Sequence, residues 1–216
     1  MFQKMLSTGI AFLFPVLLWA QTDAKTTENV TLPDIDYKQV GAPMPPFLFM
    51  SYNDTTPSAR KPEILAKKYT PQQLAERTAG DYTFMNAADF DNSGNLFVMM
   101  FNPTCSHCED VTFMLEKNAD LFKKTKVVLL ANKMMTMYIP YFAERHQIAS
   151  HPFMYIGYDS SRFIDNAYLY QALPQINIYG PDRKLIKTYA GEVPMDTLKK
   201  YIDPVAGKSK KSKRGK

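Results

Sequence analysis

The 216-residue chain contains only two cysteines, Cys105 and Cys108, two residues apart in "NLFVMMFNPTCSHCED". Thiols at this spacing can exchange with a disulfide or hold a metal. Pro103 stops the ladder of the apolar run before it. Thr104 can cap a helix whose first residue is Cys105 and whose fourth is Cys108. Positions i and i+3 share a helix face, so the two sulfurs can meet. The first helical turn has unpaired N–H groups and a partial positive charge, which favour an anion. The thiolate is the reacting form, so Cys105 is the candidate nucleophile. His107 adds positive charge when protonated, whereas Glu109 and Asp110 oppose a nearby thiolate. A structural disulfide closing so small a loop would remove little entropy from the unfolded chain. Strand, cap, CxxC and helix together therefore read as a redox pair.

Several elements must position that pair. "NLFVMMFN" is a continuous apolar run of strand length, as expected for a strand covered on both faces. After the cysteines, Val111, Met114, Leu115, Leu121 and Phe122 recur at helical spacing. "KVVLLAN", "FMYIGYD", "LPQINIYG" and "KLIKTYAG" read as further strands. The last two are joined by a tight Gly-Pro-Asp turn and should run antiparallel. "MYIPYFAERHQI" reads as a helix starting or kinking near Pro140, "SSRFIDNAYLYQA" as a helix, and "PMDTLKKYI" as a closing helix with Pro194 near its start. Earlier, "FLFMS" reads as an edge strand behind Pro45 and Pro46. "TPQQLAERTAG" reads as a short helix with Thr70 as cap, Pro71 first and Gly80 just past the end. Strands alternating with helices indicate an α/β layered fold.

At these residues the chain resembles a known family. "NLFVMMFNPTCSHC" is similar to the strand and active-site turn of thioredoxin-like proteins. An export signal and the "VGAPMPPFLF" segment resemble the TlpA/ResA-like thiol-disulfide oxidoreductases. "LPQINIYGPDRKLIKTYAGEVPMDTLKKYI" resembles the family's C-terminal half. The resemblance covers about residues 39–203. It implies a central mixed β-sheet flanked by helices, with an N-terminal extension and an insertion at 52–92 before the active-site strand. It also implies Cys105 as nucleophile, Cys108 as resolving thiol, and Pro174 as a cis-proline facing them. Leu173 and Pro174 would then bind substrate backbone. His107 and Thr104 would tune the thiols, standing where the family usually has a proline and an aromatic residue. No acid lies in "NLFVMMF", where thioredoxins keep a buried carboxylate. The expected partners are protein thiols and disulfides outside the cytoplasm, with an upstream electron donor that is unknown. The favoured direction is reduction. No cofactor is implied.

Two other classes stay open. Cys105, Cys108 and His107, in a chain with 13 methionines, could serve copper delivery. Against it, Met99, Met100 and Met114 read as core filler, and His107 should point away from the sulfur face. A redox-idle binding module would instead use the 52–92 insertion. "DFDNSG" there begins like a calcium loop, but the bidentate position falls on Met100, so no metal is assigned. Haem attachment would need a histidine after Cys108, where Glu109 stands. His146 and His151 read as ordinary surface or satisfied histidines. Asn29 and Asn53 begin glycosylation sequons that matter only in a eukaryotic host.

The ends bound the compartment. "MFQKMLSTGIAFLFPVLLWAQ" has the basic start, short apolar core and small residue of an export signal, with cleavage expected after Ala20. That places the protein in the periplasm or outside the cell; the alternative is a membrane tether through an uncleaved signal. Residues 21–38 read as a linker. Residues 204–216 read as a disordered tail holding six of the 26 basic residues and no acid, which leaves 20 basic residues against 21 acidic. The remainder is close to neutral, and nucleic acid is not expected as a partner. The tail can touch an anionic membrane surface weakly.

Overall fold

The computed structural model describes residues 35–53 and 68–203. The expectations for the signal, most of the linker, residues 54–67 of the insertion and the basic tail lie outside the described residues. Eight strands form one sheet: β1 (Leu48–Tyr52), β2 (Thr78–Ala79), β3 (Tyr82–Asn86), β4 (Leu96–Phe101), β5 (Lys126–Ala131), β6 (Met154–Asp159), β7 (Gln175–Tyr179) and β8 (Leu185–Ala190). Their spatial order is β2-β3-β1-β6-β5-β4-β7-β8. β4, β5 and β6 run parallel, β7 pairs antiparallel with β4, and β8 pairs antiparallel with β7. Among the described residues, five short α-helices accompany them: α1 (Pro71–Glu76), α2 (Ser106–Lys117), α3 (Ile139–Arg145), α4 (Phe163–Ala167) and α5 (Met195–Leu198).

The apolar run of β4 shows why the sheet must be covered twice. All six of its residues are buried. Successive side chains of a strand point to opposite faces. Phe97, Met99 and Phe101 accordingly enter one core with Val111 and Leu115 of α2, Phe142 of α3 and Leu198 of α5. Leu96, Val98 and Met100 enter a second core with Phe49, Phe90, Phe163 and Ala167. Burying both faces at about 25 cal/mol per Å² of apolar area fixes β4 at the centre of the molecule.

Two sequence expectations are corrected here. "FLFMS" does not form an edge strand: β1 pairs with β6 on one side and with β3 on the other. The reason is that residues 78–86 of the insertion fold into an antiparallel ribbon that extends the sheet past β1. Gly157 on β6 lets β1 come close, because a Cβ there would lie 2.1 Å from the Met50 carbonyl oxygen. Gly80 does not end α1 but turns the β2–β3 hairpin with φ of +59°. Thr70 does cap α1: its hydroxyl accepts from the Gln73 N–H, and the Gln73 side chain accepts from the Thr70 N–H.

The described part of the insertion is organised around a buried carboxylate. Asp89 accepts from the Tyr69 hydroxyl at 2.6 Å, from the Asn86 N–H at 2.8 Å and from the Arg77 guanidinium at 2.8 Å. Lys68 adds an ion pair at 3.3 Å. Burying a carboxyl this completely costs free energy unless its oxygens are paired and hydrogen-bonded, as they are here. Asp89, the first residue of the calcium-like string, is therefore already spent.

Candidate functional site

The strand register brings the candidate residues to one end of the sheet. β4 and β5 are parallel with Phe101 opposite Ala131, so the chain leaves both strands at the same edge. β7 pairs Gln175 with Met100, which places Pro174 opposite the end of β4. Opposed residues in an antiparallel pair lie about 5 Å apart. β8 pairs Ala190 with Gln175, and the next residue, Gly191, donates its N–H to the Pro174 carbonyl at 2.8 Å. The CxxC turn, the Leu173–Pro174 bond and the loop after β8 therefore converge. The Leu173–Pro174 peptide is cis. Pro174 is buried, and Leu173 packs against the cores on both faces of the sheet.

The helix start differs from expectation by one residue. α2 begins at Ser106, and Cys105 itself is the N-cap in an extended conformation. The Cys105 carbonyl accepts from the N–H groups of Cys108 and Glu109, both at 3.1 Å. Thr104 does not cap, because its hydroxyl and its N–H both turn back to the Asn102 side-chain oxygen at 2.9 Å. The Asn102 carbonyl accepts from the Cys105 N–H at 3.0 Å. Asn102 thus builds the turn that presents Cys105. An Asn whose side chain bonds two residues ahead is a known turn device, so "NPT" carried the signal. As N-cap, Cys105 stands at the helix start, where the first N–H groups have no intrahelical acceptor, although its side chain makes no cap hydrogen bond.

The two sulfurs are free thiols with opposite surroundings. Cys105 is partly exposed and Cys108 is fully buried. Burial pushes the Cys108 thiol up to about 12, against a hydrogen bond from the Asn102 backbone. A hydrogen bond to Cys105 and the charge of that sulfur push it the same way. Cys108 therefore stays protonated at neutral pH and can donate to Cys105.

His107 is engaged with the loop after β8. Its Nδ1 lies 2.6 Å from the Glu192 carboxylate, and both side chains are more than 60% exposed. Among the described residues, His107, Asp110 and Glu192 group their ligand atoms within 4.8 Å. The set that copper delivery would need, His107 with both sulfurs, is not among the groupings of the described residues, and Cys108 is fully buried. Glu192 lies 85 residues from His107 and had no local signal. Tyr168, just after α4, was also missed. Its phenol packs against the second core and is pushed up by burial and then by the charge of Cys108.

Of the two readings for His146, surface or satisfied, the structure bears out the second, with a carboxylate partner. His146 is 1% exposed, sits between the rings of Phe113 and Phe142, and places Nδ1 2.7 Å from Glu116 of α2. Burial pushes Glu116 up to about 7, while burial and then Arg145 push His146 down to about 4. Both directions favour a neutral pair in which the Glu116 carboxylic acid donates to Nδ1. His146 Nε2 has no partner among the described residues.

No family model matches this sequence, and no curated protein matches it. Solved structures do. The thioredoxin domain of a thiol-disulfide oxidoreductase from Bacteroides vulgatus is similar with a TM-score of 0.51 at 13% identity, over 76% of this chain and 98% of that one. An uncharacterized conserved protein from Geobacillus kaustophilus is similar with a TM-score of 0.52 at 14% identity, over 78% of this chain and 82% of that one. The fold is thioredoxin-like: a central mixed sheet flanked by helices.

Proposed function

We propose that this protein is a thiol-disulfide oxidoreductase that reduces protein disulfides outside the cytoplasm. The observation that carries the reading is the asymmetry of the two sulfurs. Cys105 is reachable and stands at a helix N-cap, and Cys108 is buried one turn behind it as a thiol. Its solved relatives of the same fold include an enzyme named for this chemistry.

The Cys105 thiolate attacks one sulfur of a substrate disulfide. A mixed disulfide forms, and the other substrate sulfur leaves as a thiolate. Cys105 is then no longer a charged neighbour, so two of the influences holding the Cys108 proton disappear while the Asn102 hydrogen bond persists. Cys108 loses its proton and attacks the Cys105 sulfur. The Cys105–Cys108 disulfide forms, and the second substrate thiolate is released. Two electrons pass to the substrate, and an external dithiol must return them. The cis Leu173–Pro174 segment would lie along the substrate backbone. The compartment follows from residues 1–20, whose pattern is that of an export signal.

Reduction of insulin disulfides by dithiothreitol tests the chemistry. The wild type should accelerate it and Cys105→Ala should not. The reduction potential tests direction. A value of about −270 mV agrees with a reductase, and one of about −120 mV would make the protein an oxidant.

A further inference from the structure

Nine large apolar side chains are exposed among the described residues, and six of them lie on the two segments that follow β5 and β6. Met134, Met137, Tyr138 and Tyr141 are 85%, 76%, 42% and 64% exposed. Their spacing is i, i+3, i+4 and i+7, so they form one stripe on the helical segment that runs from Lys133–Tyr138 into α3. The other side of the segment already has its core contacts, because Ile139, Phe142 and Ala143 are buried and Met135 packs inward. The stripe is thus a second apolar face, not a core face left open. No residue between Lys133 and Glu144 carries a charge at neutral pH.

The segment is held in place. The Asn132 side chain caps its start by accepting from the Met134 N–H at 3.0 Å. The Tyr82 hydroxyl, on β3 of the insertion, donates to the Thr136 carbonyl at 3.2 Å. Tyr82 itself packs against Tyr52 and Tyr158. The insertion therefore braces the stripe from beneath.

Position supplies the link to the sulfurs. β4 and β5 end side by side, with Cys105 four residues beyond one end and Met134 three beyond the other. The segment lies towards β6, two strand spacings or about 10 Å from β4. Three extended residues cover that distance. On the other flank, Leu169 and Tyr170 are exposed just before the cis Leu173–Pro174 bond. Contiguous exposed apolar surface marks an interaction site, and methionine adapts to varied apolar partners.

We propose that the Met134–Met137–Tyr138–Tyr141 face docks an apolar segment of a non-native polypeptide that carries its disulfide to Cys105. This rests on the oxidoreductase reading for its link to Cys105, and it names that site's substrate class. Uncharged Met and Tyr side chains select apolar sequence, and polypeptides expose such sequence when they are not folded.

The test uses the full chain and the triple variant Met134→Gln, Met137→Gln, Tyr141→Gln. Reduction of bis(2-hydroxyethyl) disulfide should be unchanged in the variant, while kcat/KM on insulin falls about ten-fold, mainly through KM. An equal insulin rate overturns the proposal. So does a wild-type dimer that the variant abolishes without loss of insulin rate, because the face then belongs to a second copy. Binding of fluorescent, carboxymethylated α-lactalbumin, which is unfolded and has no disulfide, separates the two claims. Weaker binding by the variant, by about ten-fold, supports docking even if neither disulfide is reduced. Equal binding by both proteins overturns docking even if the redox chemistry stands.

Discussion

Glu116→Gln should stabilise the protein at alkaline pH and leave it unchanged in acid. Glu116 rides on the helix that carries the cysteines, and its side chain is only 16% exposed. Burial lifts its carboxyl from 4.5 to about 7. Above pH 4.5 the unfolded chain releases this proton while the folded protein holds it, so the contribution is complete below pH 4.5 and is lost as pH rises through 7. The lift of about 2.5 pH units, at 1.36 kcal/mol each, amounts to about 3 kcal/mol. His146 runs the other way: burial and Arg145 lower it from 6.5 to about 4, so its contribution is complete above pH 6.5 and is lost as pH falls through 4. Between pH 4.5 and 6.5 the two slopes oppose, and the wild type should change little there on their account. Gln at 116 keeps a donor for Nδ1 but has no proton to lose. The variant should therefore match the wild type at pH 4 and exceed it by about 3 kcal/mol at pH 8. With a urea m-value of about 2 kcal/mol/M, this is a midpoint shift of about 1.5 M. Urea unfolding at unit steps from pH 4 to 8 measures it. An offset that stays constant over that range would refute the neutral Glu116–His146 pair.

Other outcomes follow from single residues. Iodoacetamide at pH 7 should label Cys105 at least about ten-fold faster than Cys108, because the buried thiol is both shielded and protonated; mass spectrometry of the digested protein reads the ratio, and equal labelling would place Cys108 elsewhere. Asp89→Ala should cost about 3 kcal/mol in urea unfolding, because Arg77 and the Asn86 N–H lose a fully buried acceptor; a loss under about 0.5 kcal/mol, the range of ordinary surface changes, would mean the insertion does not depend on it. Gly157→Ala should cost about 3 kcal/mol or prevent soluble folding, because its Cβ meets the Met50 carbonyl; wild-type stability would show that β1 can shift freely.

What was legible in the sequence was local. The CxxC helix, the doubly buried β4 and the β7–β8 hairpin each lie in one continuous stretch whose apolar period and turn residues state the structure. The errors arise where a distant segment decides. β1 was read as an edge because nothing near it announces that Tyr82–Asn86 will pair with it. His146 looked ordinary because Glu116 stands 30 residues away, and Glu192 was invisible from His107 for the same reason. The one-residue error at the helix start has a different origin. Thr104 is a good cap by type, but its hydroxyl and its N–H both donate to the Asn102 side-chain oxygen, which turns the side chain back into the loop and away from the helix start. The capping position falls on Cys105 instead. The placing of the nucleophile at the helix start thus involves Asn102, whose carbonyl accepts from the Cys105 N–H and which has no redox chemistry of its own. The Met134–Tyr141 stripe carries the same lesson: spacing alone shows that these residues share a face, while only the packing of Ile139 and Phe142 reveals that the core is on the other side.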